Sequence, residues 1–546
     1  MTEIMKHILK LAAVILVSVN LSSCSDDFLK SEPMTQLTSA NFYKTPEELN
    51  MALVGCYQQL RGGYGDFFQL LNIAADDCYG GGGYTDAYGN QIWDEFTHYN
   101  DLEINRYTWA SKVWRAIRRC NVVVEQAENI DWGADSKLKN QYVAEARMLR
   151  AYWYYLTQAC YGHIPLVTTS DQLEIEGQAD PDDVYAYIAE DLKFAIENLP
   201  ATRFQDISKG EIGHVTKWFA EGFAARVYLF YTGYYGKSEM PGLTKAQVTG
   251  YLNDIITSSG HALLPSFSSL WPWSMRKDYW SKQSLYVGNP NLVYAGEYNP
   301  EIVFAIKLHT GFSFSHSQYM GMRGEVKAGD YDPFTSGWGM ATITPKAYNW
   351  FEEGDTRRFA SIVNLAAEGI PCDGTDQREF TGYVHKKYQN LTSPVDRTKG
   401  YPQYLGASNK NANPQDQIIM RYSDILLMAA ELVVDTNPAQ ALNYVNQVRN
   451  RAFENTSHAF KSVTKQDILD ERAREFVFEG LRYHDVLRQG LTKAKQILDV
   501  KGEIVLNGKN PATKTIDWPI EKEGLLMIPY SDVSLSNGKL LQNPGW

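Results

Sequence analysis

Apolar residues recur along this chain at alternating spacings of four and three, the repeat that gathers side chains on one face of a helix. Tyr142, Ala146, Leu149, Trp153 and Leu156 follow it, with Glu145, Arg147 and Arg150 off the stripe. Ile418, Tyr422, Ile425, Ala429 and Leu432 make a second stripe, and Leu469, Ala473, Phe476, Gly480 and Tyr483 a third. Further helices are predicted over about 107–128, 182–198, 215–234 and 438–452. Asn437-Pro438 reads as a helix start, since the Asn side chain can cap free N–H groups and Pro fits the first turn. From Ile418 to Ala452 the pattern is helix, Asp-Thr-Asn-Pro turn, helix, close to the length of one tetratricopeptide unit. Ala224-Ala225 and Ala429-Ala430 would let paired helices approach closely, although the repeat's consensus signature is absent.

Three long stretches, about 61–106, 262–345 and 366–416, lack the helical period. They hold too many aromatics for disorder, and apolar runs such as Ile302-Val303-Phe304-Ala305-Ile306 predict small strands inside them. No Pro/Gly/Ser linker or low-complexity tract divides the chain, so one large body with a sizeable core is expected.

The N-terminus has its own pattern. Lys6 and Lys10 precede an apolar run from Leu11 to Val19, then Leu21-Ser22-Ser23-Cys24. A charged head, a short apolar stretch and small residues make a secretory signal, not a membrane span. A cysteine directly behind Leu-Ser-Ser makes it look like a bacterial lipoprotein signal, with cleavage before Cys24 and acylation of its thiol. Residues 1–23 are then a cleaved signal, 24–40 a lipid-anchored tether, and 41–546 the globular domain.

Composition narrows the function. The 546 residues carry a formal charge of −12; losing Lys6, Lys10 and Glu3 with the signal removes two positive charges and one negative, leaving −13. A chain so acidic, with no basic cluster, is a poor nucleic-acid binder. Of 6 cysteines, Cys24 aside, Cys56, Cys78, Cys120, Cys160 and Cys372 form no CxxC, and no His stands at ligand spacing. A zinc site is not expected; buried free thiols are, with a Cys56–Cys78 disulfide as the lesser alternative. No nucleophile elbow, zincin motif, phosphate loop or dinucleotide fingerprint appears. Asp76-Asp77, Asp86 and Asp94-Glu95 are candidates for a glycosidase pair only because they sit near the aromatics, and an enzyme is not expected.

Several blocks, in order along nearly the whole chain, resemble the SusD/RagB family of glycan-binding surface lipoproteins of Bacteroidetes. They are Cys24-Ser-Asp-Asp-Phe-Leu29, Ala146-Arg-Met-Leu-Arg-Ala151 through Tyr161-Gly-His-Ile-Pro-Leu166, and Ala224-Ala-Arg-Val-Tyr-Leu229 after Val215-Thr216. Asn299-Pro-Glu-Ile-Val-Phe304, Asp355-Thr-Arg357, Arg421-Tyr-Ser-Asp-Ile-Leu-Leu427 and Val448-Arg-Asn-Arg-Ala452 follow. The most specific is Glu471-Arg-Ala-Arg-Glu475 with Phe478-Glu-Gly-Leu-Arg482 and Asp485-Val-Leu-Arg488; Ile528-Pro529 and Gln542-Asn-Pro-Gly-Trp546 close the chain. Ala429-Ala430-Glu431-Leu432-Val433 departs from the family's usual longer acidic or Asn-containing helix tail. The resemblance implies a mainly α, SusD-like fold: four tetratricopeptide-like helix pairs as scaffold, long irregular loops and a few short strands. It also implies outer-membrane anchoring at the cell surface, no cofactor, and a SusC-type TonB-dependent transporter as partner. A peptide- or protein-binding lipoprotein of the same architecture is the alternative. From helix spacing, Asp470 with Arg474 and Glu479 with Arg482 are expected as surface pairs, and Asp355 and Arg357 as scaffold.

A sugar site wants exposed aromatic platforms with polar groups for the hydroxyls. Gly80-Gly-Gly-Gly-Tyr84-Thr-Asp86-Ala-Tyr88-Gly-Asn90-Gln-Ile-Trp93 reads as an exposed, mobile glycine loop, with Trp93, Tyr84, Asp86 and Asn90 as candidate contacts. Trp271-Pro-Trp273-Ser-Met-Arg276 with Tyr279-Trp280 fits no helical face and supplies Trp273, Tyr279 and Trp280. Phe312 to Trp338, with His316, Tyr319, Arg323 and Trp338, supplies Arg323 and Trp338. Loop composition disfavours a strongly polyanionic ligand, unless Arg276, Lys277, Lys282 and Arg323 form a local basic patch.

Overall fold

The computed structural model describes residues 42–86, 90–96, 106–109, 112–172, 176–271, 294–308, 316–321, 323, 325–326, 337–368, 372–373, 376–388 and 415–546. The longer helices are labelled in chain order: α1 Pro46–Ile73, α2 Val113–Gln126, α3 Ser136–Tyr161, α4 Pro181–Asn198, α5 Lys217–Tyr234, α6 Lys245–Ser258, α7 Tyr422–Val433, α8 Pro438–Phe453 and α9 Lys465–Glu475. Each of α1 to α7 packs against the helix that follows it, the neighbour-to-neighbour stacking of helix-pair repeats. Helix starts are written in the sequence: Thr45, Thr244 and Thr464 each form a capping box with the residue three positions on. The Asn437 side chain accepts from Gln440 N at 3.2 Å, with Pro438 in the first turn, as expected.

Helix α3 is the centre of the stack, buried on almost every side from Val143 to Tyr161. Glu145 and Arg150, off its apolar stripe, are therefore buried too and need partners. Arg150 forks onto Asp191 of α4 at 2.8 and 2.7 Å, and Glu145 accepts from the Tyr57 hydroxyl of α1 at 2.7 Å.

The strands long enough to organise packing are β1 Cys78–Gly81, β2 Ile302–Ile306, β3 Met340–Ile343, β4 Gln417–Arg421, β5 Val500–Asn507 and β6 Asn510–Ile516. They pair two by two, antiparallel: β1 with β3, β2 with β4, β5 with β6.

Three expectations from spacing are corrected. The stripe from Ile418 to Leu432 is two elements: β4 ends at Arg421, and α7 starts at Tyr422, whose N–H donates to Glu301 O at 2.7 Å. Every residue of β4 is buried, and a fully buried strand shows no alternation to distinguish it from helix. The stripe from Leu469 to Tyr483 breaks after α9, with Phe478 at φ +62 and Gly480 at φ +72 before a short helix Arg482–Leu487. There the end of α1 captures the backbone: Phe478 N donates to Asp77 Oδ2 at 3.1 Å and Gly480 N to Asn72 Oδ1 at 2.9 Å. Finally, α1 runs on through Gly62 and Gly63 to Ile73, where irregular structure was expected. Burial of Phe67, Phe68, Leu70, Leu71 and Ile73 outweighs the roughly 1 kcal/mol that each helical glycine costs.

The charged blocks that carried the resemblance form a buried ionic network. Arg421 reaches Glu475 at 2.7 Å, Glu479 at 2.8 Å and Glu301 at 2.9 Å. Arg357 bonds Asp355 at 2.7 Å and Glu471 at 2.7 Å, and Arg451 joins Glu301 to Glu475. Arg472 links Asp424 to Asp485, and Arg488 links Asp485 to Glu431. Asp355 and Arg357 are thus scaffold, while the expected surface pairs do not form: Arg474 bonds Glu471, Asp470 accepts from Gln466, and Arg482 bonds Asp76. Burial alone would raise Glu471, but Arg357, Arg474 and Arg449 hold it down at about 2. Cys56, Cys78, Cys120 and Cys160 are buried free thiols, and the Cys120 thiol faces Cys56 across α1 and α2.

Candidate functional site

The glycine run is not a mobile loop. Gly80 to Gly83 are buried, with Gly80 and Gly81 in β1. A Cβ on Gly81, at φ +65, would lie 2.3 Å from Gly339 O; one on Gly83 would lie 2.4 Å from Asp86 Oδ2 and 2.5 Å from Arg323 Cζ. These glycines let three distant segments close on one another. Gly82 N donates to Gly339 O at 2.8 Å, Arg378 N to Gly82 O at 2.9 Å, and Tyr84 N to Asp376 O at 2.9 Å. Gln377 Nε2 ties the third segment to Gly339 O at 3.2 Å and Thr342 Oγ1 at 3.1 Å.

That closure brings together four sequence candidates from separate stretches: Tyr84, Asp86, Arg323 and Trp338. Tyr84 is 44% exposed and Trp338 39%, among the few large apolar side chains left in solvent in the described residues. The Trp338 indole meets the Tyr319 ring edge-on at 4.9 Å, and the Trp338 backbone N–H donates to Gln318 O at 2.6 Å. At this closure Arg323 donates from Nη1 to Asp86 Oδ2 at 2.8 Å and from Nε to Asp376 Oδ2 at 2.8 Å. Its partial burial would lower the guanidinium pKa, but the bond to Asp376 and the charges of Asp86 and Asp376 raise it overall. Arg378 Nη2 holds the carbonyls of Tyr84 at 3.0 Å and Asp86 at 2.9 Å, so the Tyr84–Asp86 turn is pinned from beneath. Exposed aromatics and half-exposed carboxylates gathered by one backbone closure suit sugar C–H patches and hydroxyls. Sequence reasoning missed Asp376 and Arg378, which lie in a stretch with no periodic signal.

Two other candidates, Trp93 and Asn90, are corrected. Trp93 is 3% exposed, in a short helix Gln91–Glu95 on the core, and offers no face to a ligand. Asn90 is buried and its Nδ2 donates to Gly80 O at 3.4 Å, a bond that seats the glycine strand. Trp271, the first tryptophan of its cluster, is buried edge-on against Tyr388 at 5.4 Å. Cys24, Trp273, Tyr279 and Trp280 lie outside the described residues.

The carboxylates considered for chemistry serve the frame, Asp86 excepted. Asp76 bonds Arg482 at 2.7 Å and Lys346 at 2.9 Å. Burial, then the charge of Asp76, pushes Asp77 up to about 7. Asp94, Glu95 and Glu379 share the single ammonium of Lys514, and burial holds Asp94 up at about 8. Among the described residues no group of His, Cys, Asp and Glu could hold a metal ion. A separate groove of about 440 Å3 lies between α1 and β2, lined by Val54, Tyr57, His214, Phe304 and Lys307. Two of its polar groups are committed: Lys307 bonds Asp416, and His214 Nδ1 lies 2.8 Å from Glu145 Oε2.

The sequence profile described as the SusD family matches residues 300–546, and the profile described as "Starch-binding associating with outer membrane" matches residues 27–229. The chain belongs to the SusD family. It is similar to the SusD-like protein P25 of Formosa agariphila, 22% identical over 94% of both chains. It is also similar to the starch-binding protein SusD of Bacteroides thetaiotaomicron, 33% identical over 29% of this chain. Among solved structures, surface glycan-binding protein A from Bacteroides fluxus covers 92% of the chain with a TM-score of 0.73 at 22% identity. The corresponding protein from Bacteroides thetaiotaomicron, in complex with laminarihexaose, gives a TM-score of 0.71 at 22% identity over 92%. This SusD-family chain thus shares their fold: a mainly helical frame with few short strands.

Proposed function

We propose that this protein binds an oligosaccharide at the cell surface, without chemistry, and passes it to a SusC-type TonB-dependent transporter in the outer membrane. The observation that carries the reading is the convergence of exposed Tyr84 and Trp338 on the Arg323–Asp86–Asp376 cluster. The names of its relatives, which include starch- and laminarin-binding proteins, support it. So does the profile named for outer-membrane association. Trp273, Tyr279 and Trp280 remain a second aromatic group for the same ligand. A shallow stacking site binds weakly, in the micromolar to millimolar range, about 4–8 kcal/mol. Membrane attachment through a lipidated Cys24 offsets this by raising the effective concentration at the transporter.

The test is native affinity electrophoresis of soluble protein, starting after Cys24, against plant, host and microbial glycans. Wild type should be retarded by one glycan class and Trp338→Ala should run unretarded; equal retardation of both moves the site elsewhere. Membrane fractionation of Cys24→Ala should find the protein soluble, and continued tight membrane association would count against the lipid anchor.

A further inference from the structure

We infer that the Tyr84–Trp338 site takes an uncharged, hydroxyl-rich glycan and turns away uronate- or sulfate-bearing ones. The inference rests on the glycan reading above and adds the ligand's charge class. Arg323 is the cation that sequence alone would assign to an anionic ligand, yet two acidic side chains already occupy it at 2.8 Å each. Its side chain is only 24% exposed, whereas those of Asp86 and Asp376 are each 48% exposed. The second guanidinium, Arg378, is buried and turned onto the backbone carbonyls of Tyr84 and Asp86. Both of these cations are therefore engaged inward, and the more exposed charge of the cluster is carboxylate.

Carboxylate oxygens accept only, so the matching partner is a donor. A sugar hydroxyl supplies one and forms a charge-assisted bond without losing a counterion. A uronate or sulfate brings like charge against half-exposed carboxylates, where solvent screening weakens the repulsion but does not remove it. In this arrangement Arg323 is a positioning residue: it fixes Asp86 and Asp376 relative to the Tyr84 and Trp338 faces.

The experiment uses the full soluble chain against a neutral β-glucan, an uncharged α-glucan and a neutral xylan. A polygalacturonate and a sulfated galactan complete the panel, each run at low and high salt. Wild type should bind at least one neutral polymer with little salt dependence and be unretarded by both anionic ones. Asp86→Asn with Asp376→Asn should weaken neutral binding about tenfold. It should also create salt-sensitive retardation by polygalacturonate, because Arg323 is then unpaired; a merely structural role for the two carboxylates would not produce that gain. Trp338-dependent binding of an anionic polymer by wild type overturns the charge assignment while leaving glycan capture intact. Absence of binding to every polymer overturns the glycan reading itself, and the inference falls with it.

Discussion

An indole 3% exposed and an indole 39% exposed answer differently to truncation. Trp93→Ala would leave a void beside Ile92 in the core, and large aromatic deletions of that kind cost about 3–5 kcal/mol. Trp338→Ala removes a side chain that touches Tyr319 on one edge and water on the other. Denaturant unfolding should therefore show a large drop in midpoint for Trp93→Ala and almost none for Trp338→Ala, the reverse of their order in ligand binding. Nothing local distinguishes the two in the sequence. Gly80–Gly83 looked like slack, and Trp93 beyond it looked free. Small residues permit close approach as well as motion, and which one holds depends on segments near residues 339 and 377 that no local pattern connects.

At the scale of elements, α9 and the Arg482–Leu487 helix are held by buried ion pairs as well as by apolar residues. Arg421 donates to three glutamates in a site from which water is excluded. Arg421→Met would leave Glu475 and Glu479 short of a partner, and breaking a buried pair costs about 3–5 kcal/mol. Equilibrium unfolding should register that loss, and Glu475→Gln should be comparably severe, since it leaves Arg451 and Arg421 undercompensated. His214 gives a second, pH-dependent case. Its bond to Glu145 raises the imidazole pKa, burial opposes this, and the charges of Glu145 and Glu211 add to the rise. A raised folded value means the stabilisation is complete below about pH 6.5 and is lost as pH climbs through the folded pKa. The thermal midpoints of wild type and His214→Gln should thus converge as the pH rises above about 6.5; a gap that widens would contradict the pairing. Spacing alone placed the α3 stripe correctly because a long helix repeats its signal over many turns. It failed at Ile418–Arg421 and Phe476–Leu481, where the backbone is set by β2 and by the end of α1.

Over the whole molecule, the mainly helical frame was legible. The family blocks were legible too, though of the charges expected as surface pairs Glu479 and Arg482 are buried while Asp470 is exposed. Four of the nine proposed ligand contacts come together, from segments separated by more than two hundred residues. Two are buried, and three lie outside the described residues. The same long reach has a consequence for how the chain is made. Asn72, Asp76 and Asp77 close the end of α1 on residues 478–482, partners that lie 401 to 408 positions later. At a synthesis rate of about 5–20 residues per second, those side chains wait roughly 20–80 s for their partners to exist. Until then they keep their water, so the first helix cannot be sealed early into a finished N-terminal piece. The long-range closure makes completion of the fold a late event, tied to arrival of the chain's last seventh.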